Sequence, residues 1–127
     1  MIFCLLGKSA SGKDTILNQV IKNGIVENII STTTRPMRSN ERKGVSYHFI
    51  TKDEFLKKID NGDFLEVTQY KVAVDNDTWY YGIDNTKLDA NKNYITILNP
   101  DGYRQIKAKI GTENVVGILV LADDKER

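Results

Sequence analysis

Gly7 and Gly12 bracket Lys8-Ser9-Ala10-Ser11, and Lys13-Asp14-Thr15 follows directly. This spacing suits a phosphate cradle. Two glycines let the backbone turn tightly and aim successive N–H groups at phosphate oxygens. A helix starting there adds favourable partial charge, and Lys13 brings a point charge to the outer phosphates of a nucleoside triphosphate. Gly7, Ser9, Ala10, Ser11, Gly12, Lys13, Asp14 and Thr15 are therefore the candidate triphosphate-binding set. Asp14 stands where the commonest form of this pattern has a hydroxyl that touches Mg²⁺. Thr15 is then the candidate contact to phosphate or metal, with Asp14 acting through water. The plain alternative is a glycine-rich turn with a chance lysine.

A second constellation runs from Thr33 to Phe49: Thr33-Thr34-Arg35-Pro36-Met37-Arg38-Ser39-Asn40-Glu41-Arg42-Lys43-Gly44-Val45-Ser46-Tyr47-His48-Phe49. A monophosphate is a dianion, and Arg35 and Arg38 offer planar forks for it. Tyr47 can add a hydroxyl donor at the rim. Glu41, set among basic residues, can hold one guanidinium in place. Arg42 and Lys43 read as surface. On charge alone the stretch also reads as a solvated basic loop.

The two motifs together resemble the guanylate kinase family, a branch of the P-loop nucleoside monophosphate kinases. Thr33, Thr34, Arg35, Arg38, Glu41, Gly44, Tyr47 and Phe49 stand at the positions that define its signature, and the likeness continues through Phe64-Leu65-Glu66 and Tyr80-Tyr81-Gly82. The resemblance implies transfer of the ATP γ-phosphoryl group to GMP or dGMP with Mg²⁺ as the ATP-borne cofactor, and Lys13, Arg35 and Arg38 as catalytic residues. It also implies that Ser31 and Glu66 meet guanine and that Tyr81 meets the acceptor phosphate, completing the acceptor set Ser31, Arg35, Arg38, Tyr47, Glu66 and Tyr81. Glu66 suits guanine because a carboxylate accepts from both N1–H and the exocyclic amine, whereas adenine has no N1–H. The alternative for Glu66 is a solvent-facing strand position.

Two positions depart from the family pattern. Ile83 follows Gly82 where a hydroxyl normally faces the guanine O6, and Asn99 replaces an expected acid, leaving Asp101 as the nearest carboxylate and a water-mediated metal contact. A lost neutral hydrogen bond costs about 0.5–1.5 kcal/mol against about 1.5–3 for a charged one, so guanine stays favoured. Two other readings remain open: a kinase for another monophosphate, which Ile83 favours, and a noncatalytic guanylate-kinase-like interaction module, which the intact Lys13 and both glycines oppose. By the same resemblance Ala122–Arg127 reads as the start of a lid helix carrying further arginines. These 127 residues by themselves are expected to transfer phosphate slowly.

The elements that must position these residues alternate. Ile2–Leu6 reads as a strand buried on both faces, and Ile16, Leu17, Val20 and Ile21 follow as one helix face ended by Gly24. Strands are expected at Val26–Ser31, Ser46–Ile50, Phe64–Thr68 and Trp79–Ile83. Thr51 with Glu54 has capping-box spacing before the helical Phe55, Leu56 and Ile59, and Asn61-Gly62-Asp63 makes the turn after them. Tyr94–Leu98 is another buried strand, with a helix near Tyr103–Ile110 and a last apolar run, Val115–Leu121. The fold expected is α/β: a P-loop three-layer fold with a parallel core sheet (1–30 and 86–127) and an inserted, mostly β monophosphate-binding subdomain (31–85).

Composition fits this reading. With 127 residues, 40% hydrophobic and 28% charged, the chain can bury one core, and a net charge of +1 argues against a dedicated nucleic-acid binder. Cys4 has no partner for a disulfide and reads as a buried strand residue. No apolar run reaches membrane length, so a cytoplasmic protein with no membrane or nucleic-acid partner is expected. The sequence sets no oligomeric state. His48 has no partner at triad-like spacing and reads as a half-exposed strand residue; Trp79 and Tyr80 read as strand packing.

Overall fold

The computed structural model describes residues 1–7, 12–72 and 77–120, with Asp14 described by its backbone alone. In chain order the elements are β1 (Ile2–Leu6), α1 (Lys13–Lys22), β2 (Glu27–Asn28), β3 (Thr32–Thr33), β4 (His48–Phe49), α2 (Lys52–Asp60), β5 (Phe64–Val72), β6 (Asp77–Asp84), β7 (Tyr94–Ile97), α3 (Pro100–Ile110) and β8 (Val115–Leu119), with single 3₁₀ turns at Asn85–Lys87 and Thr112–Asn114. They fall into two compact units, Met1–Ile29 with Asp89–Arg127, and Ile30–Leu88.

The first unit is a parallel sheet of order β2-β7-β1-β8. The central β1 is apolar on both faces because helices cover both. Leu5, Val26 and Ile95 form a core against which Ile16, Leu17, Val20 and Ile21 of α1 pack, so the periodic face read in the sequence is the buried one. On the opposite face Gly117, in register with Cys4, lies so close to α3 that a Cβ there would meet the Tyr103 ring at 2.8 Å. Cys4 is completely buried. The architecture is α/β with helices on both faces of a parallel core sheet.

The second unit is a mixed sheet of order β4-β3-β6-β5, in which only β3 and β4 run parallel. Helix α2 forms here because Thr51 and Glu54 cap it reciprocally: Thr51 Oγ1 accepts from the Glu54 N–H at 3.1 Å, and Glu54 Oε1 accepts from the Thr51 N–H at 3.0 Å. Its Phe55, fully buried, stacks on Phe64 at 4.3 Å and meets Tyr80 at 5.3 Å. Burying such a ring contributes about 1.5–3 kcal/mol. Lys58 adds an ion pair to Asp84 at 2.8 Å, and Thr86 donates to the same carboxylate from its N–H and hydroxyl. Burial alone would push the Asp84 carboxyl up, but the Lys58 ammonium and the Thr86 donors outweigh it and hold it below its ordinary value.

Phe64, Tyr80 and Asp84 thus face α2. Regular alternation would put Glu66 on that side too, two residues after Phe64. A β-bulge between them prevents this: Phe64 is opposite Asp84, but Glu66 is opposite Ile83. The extra residue, Leu65, shifts the phase, so Glu66, Thr68 and Tyr70 share the face away from α2 with Ile83, Tyr81 and Trp79.

Several elements differ from the sequence expectation. Val26–Ser31 is not one strand: β2 pairs in the parallel sheet, β3 belongs to the other, and the boundary between the units falls at Ile29 and Ile30. Ser46–Ile50 shrinks to His48–Phe49 because residues 42–47 turn back on themselves, with the Ser46 N–H on the Arg42 carbonyl and the Gly44 N–H on the Tyr47 carbonyl. β5 and β6 run longer than expected, to Val72 and from Asp77. Helix α3 begins at Pro100, before Tyr103, because Asn99 Oδ1 accepts from the Gly102 N–H at 2.7 Å and caps it. Among the described residues of the last apolar run only Val115 is buried, while Val116, Ile118 and Leu119 are exposed.

Candidate functional site

Within the first unit, β1 delivers the chain to Gly7 and α1 takes over at Lys13. Gly12 is the N-cap of α1 at φ 85°, a left-handed conformation that side chains other than glycine adopt only with strain. The Lys13 ammonium donates to the Gly7 carbonyl at 2.6 Å, tying the two described ends of the loop together. Thr15 is exposed on the first turn of α1. Ser9, Ala10 and Ser11, the side chain of Asp14 and the segment Ala122–Arg127 lie outside the described residues. Asp101 is exposed on the first turn of α3, where its carboxylate accepts from Gln105 at 3.0 Å and lies 3.9 Å from Arg104. Among the described residues no cluster of three or more His, Cys, Asp or Glu could hold a metal.

Within the second unit, the sheet face away from α2 brings most of the acceptor set together. Arg35 lies two residues past the end of β3, where its N–H is held by the Thr33 hydroxyl at 3.1 Å. Its guanidinium is clamped by Glu41, Nη1 to Oε1 at 2.9 Å and Nη2 to Oε2 at 2.7 Å, and Nη1 also reaches the Pro36 carbonyl at 3.2 Å. The same guanidinium lies over the rings of Tyr47 at 5.2 Å and Phe49 at 5.8 Å. Tyr47 in turn meets Tyr81 edge-on at 5.9 Å. Arg35 is 6% exposed, a charge taken out of water and repaired by a bidentate partner and two aromatic faces.

The electrostatics follow. The hydrogen bonds from Arg35 and from the Arg38 N–H hold the Glu41 carboxyl down at about 2, against the opposing effect of burial. Glu41 pushes the Arg35 guanidinium further up, with a smaller push from Tyr81. The expectation that Glu41 holds one guanidinium therefore resolves onto Arg35. Arg38 donates its backbone N–H to Glu41 Oε1 at 2.9 Å and is itself exposed.

Glu66 is 6% exposed, which removes the solvent-facing alternative. Opposite it Ile83 is completely buried and offers no donor. Gly82 is needed beside them: a Cβ there would sit 2.9 Å from the Glu66 carbonyl oxygen and 2.9 Å from a Phe64 ring carbon. Ser31 is half-buried, its carbonyl accepting from the His48 N–H at 2.9 Å. His48 is itself half-buried, and desolvation, with a push from Lys87, lowers its imidazole below the ordinary value although Asp84 opposes.

Two residues of this face are absent from the sequence-derived set. The Thr68 hydroxyl donates to Glu66 Oε2 at 3.3 Å, and the Tyr70 ring meets Tyr81 edge-on at 5.5 Å. Strand alternation from Glu66 was the signal that could have found them.

The guanylate kinase family model matches residues 2–109. The chain is 30% identical over 120 residues to a guanylate kinase of Chlamydia felis, covering 90% of this chain and 56% of that one. It is 34% identical over 111 residues to a guanylate kinase of Clostridium tetani, covering 84% and 50%. The chain thus spans about half the length of these curated relatives. A crystal structure of guanylate kinase from Anaplasma phagocytophilum superposes with a TM-score of 0.66 at 24% identity, covering 94% of this chain and 58% of that one, a likeness of fold. With the family model matched over most of its length and its own residues supplying the signature, the chain belongs to the guanylate kinase family.

Proposed function

We propose that this protein transfers the γ-phosphoryl group of ATP to GMP or dGMP. The observation that carries the reading is the single sheet face of the second unit, on which a clamped arginine, the Tyr47 and Tyr81 rings and a buried carboxylate occur together. A cation and hydroxyls suit a phosphate; a buried acceptor suits the N1–H and amine edge of guanine. The reaction asks for positioning and charge neutralisation rather than covalent chemistry.

In this reading Lys13 leaves the Gly7 carbonyl for the outer phosphates of ATP, joined by the loop N–H groups between Gly7 and Thr15. Arg35 has given its end fork to Glu41, so its side fork, Nε–H with the outer Nη2–H, is the pair left to meet the acceptor phosphate. Arg38, exposed and close by in sequence, supplies a mobile second cation, and Tyr47 and Tyr81 supply hydroxyls. Glu66, with Ser31, selects the base. Mg²⁺ arrives with ATP and neutralises phosphate charge; the exposed Thr15 hydroxyl and Asp101 carboxylate suit outer contacts to a hydrated ion.

The apolar, fully buried Ile83 beside Glu66 favours a second reading, a kinase for another monophosphate. Coupled ADP release measured on the full-length protein with GMP, dGMP, AMP, CMP and UMP separates the two. GMP as the preferred acceptor is the expected result, and preference for a base without N1–H and a 2-amino group overturns it. ATP binding without turnover on any acceptor points instead to an interaction module.

A further inference from the structure

We infer that Thr68 is a positioning residue for base recognition, fixing the plane of the Glu66 carboxylate; this rests on the guanine reading above. Four observations carry it. Thr68 lies two residues after Glu66 on the same face of β5, so its side chain stands beside the carboxylate rather than behind it. Its hydroxyl donates to Glu66 Oε2 at 3.3 Å. Glu66 is buried, so the direction of its oxygens matters more than it would in water. The cross-strand neighbour of Glu66 is Ile83, whose side chain has no polar atom with which to orient it.

The terminal torsion of a glutamate is broad and roughly two-fold, so an unguided carboxylate samples planes that present only one oxygen to a ligand. Threonine is well suited to guide it, because β-branching limits χ1 and holds the hydroxyl in place. The 3.3 Å separation is long for a hydroxyl–carboxylate bond, and such bonds tighten when the site is filled. A carboxylate fixed in this way presents both oxygens side by side to two N–H groups on one purine edge. Recognition of the second N–H, the 2-amino group, therefore depends on Thr68 more than recognition of the first.

GMP and IMP differ by that group alone, since hypoxanthine keeps N1–H and O6 but lacks the 2-amino substituent. Calorimetry on the full-length protein with GMP, IMP and ATP, for wild type, Thr68→Val and Thr68→Ser, tests the inference. Valine keeps the shape and the branching and removes the donor; serine keeps the donor. Thr68→Val is expected to weaken GMP by about five- to tenfold and narrow the GMP-over-IMP preference, with ATP affinity within about twofold, while Thr68→Ser keeps the wild-type preference. An unchanged GMP-over-IMP ratio in Thr68→Val, equal losses for all three ligands, or a serine variant as impaired as the valine one overturns the inference. A wild-type protein with no preference for GMP overturns the guanine reading as well.

Discussion

In the first unit the described part of the candidate site is backbone plus one cation: a left-handed Gly12, the Gly7 carbonyl and Lys13 between them. In the second it is side chain upon side chain, with Arg35 gripped by Glu41, backed by two rings and followed along the sheet by Tyr81, Thr68 and Glu66. The first arrangement satisfies its cation with a neutral carbonyl, which a phosphate can displace at small cost. The second satisfies its cation with a charged, bidentate carboxylate held well below its ordinary value, a partner far costlier to displace than a neutral carbonyl. In the proposed function the first site is remade when ligand arrives and the second is built in advance.

The largest expected effect tests the first half of that contrast. Lys13→Ala is expected to weaken ATP binding by about a hundredfold or more while GMP affinity holds within about twofold, because the loop has no second described cation to take over. Calorimetry with both nucleotides reads it, and unchanged ATP affinity removes the loop assignment.

Gly82→Ala tests whether the second site also leans on backbone. The added methyl meets the Glu66 carbonyl and the Phe64 ring at 2.9 Å, and neither neighbour is the free end of a flexible chain. A loss of about 1–3 kcal/mol in stability is expected, read as a lower Tm. A variant with an unaltered Tm shows that β5 and β6 can part without penalty.

Glu41→Gln bears on the claim of advance construction. GMP affinity is expected to fall by about tenfold and ATP affinity to stay level, since the amide holds one guanidinium nitrogen at most as an acceptor. Acid sharpens the test. Glu41 is held at about 2 against an ordinary 4.5, so its stabilising effect is complete above pH 4.5 and is lost as pH falls from there through about 2. The Tm difference between wild type and Glu41→Gln should therefore be flat above pH 5 and shrink below pH 4. A difference that vanishes already near pH 5 means that the carboxylate is not held by Arg35.

What the sequence made legible follows the same division. The described flanks of the loop, a left-handed Gly12 and Lys13 opening a helix, were readable because glycine spacing and an adjacent lysine are local facts, and the cap of α2 was readable because Thr51 and Glu54 lie within one turn. The burial of Ile83 and Glu66 was not readable, since both look like ordinary strand residues until β5 and β6 are paired. Glu41 was legible as a holder of some guanidinium, but which one depends on how residues 36–40 turn. Thr68 and Tyr70 were within reach by alternation from Glu66, but which side of the sheet they share with it was not, because no local signal marks a bulge between Phe64 and Glu66.

That bulge has a consequence for how the strand tolerates changes in length. Leu65 is the surplus residue in the pairing of β5 with β6. Deleting it would leave Phe64 opposite Asp84 and Glu66 opposite Ile83 in an unbroken ladder, every side chain still on its present face. Its cost is that of one buried leucine, about 1.5–3 kcal/mol. Deleting Val67, only two positions on, would turn Thr68 and Tyr70 toward α2 and part them from Glu66. Adjacent stretches of one strand thus differ sharply in their tolerance of a lost codon: a single-residue gap can drift into a descendant sequence at the bulge, whereas just past it the same gap dismantles the proposed acceptor site while sparing nearly every residue in it.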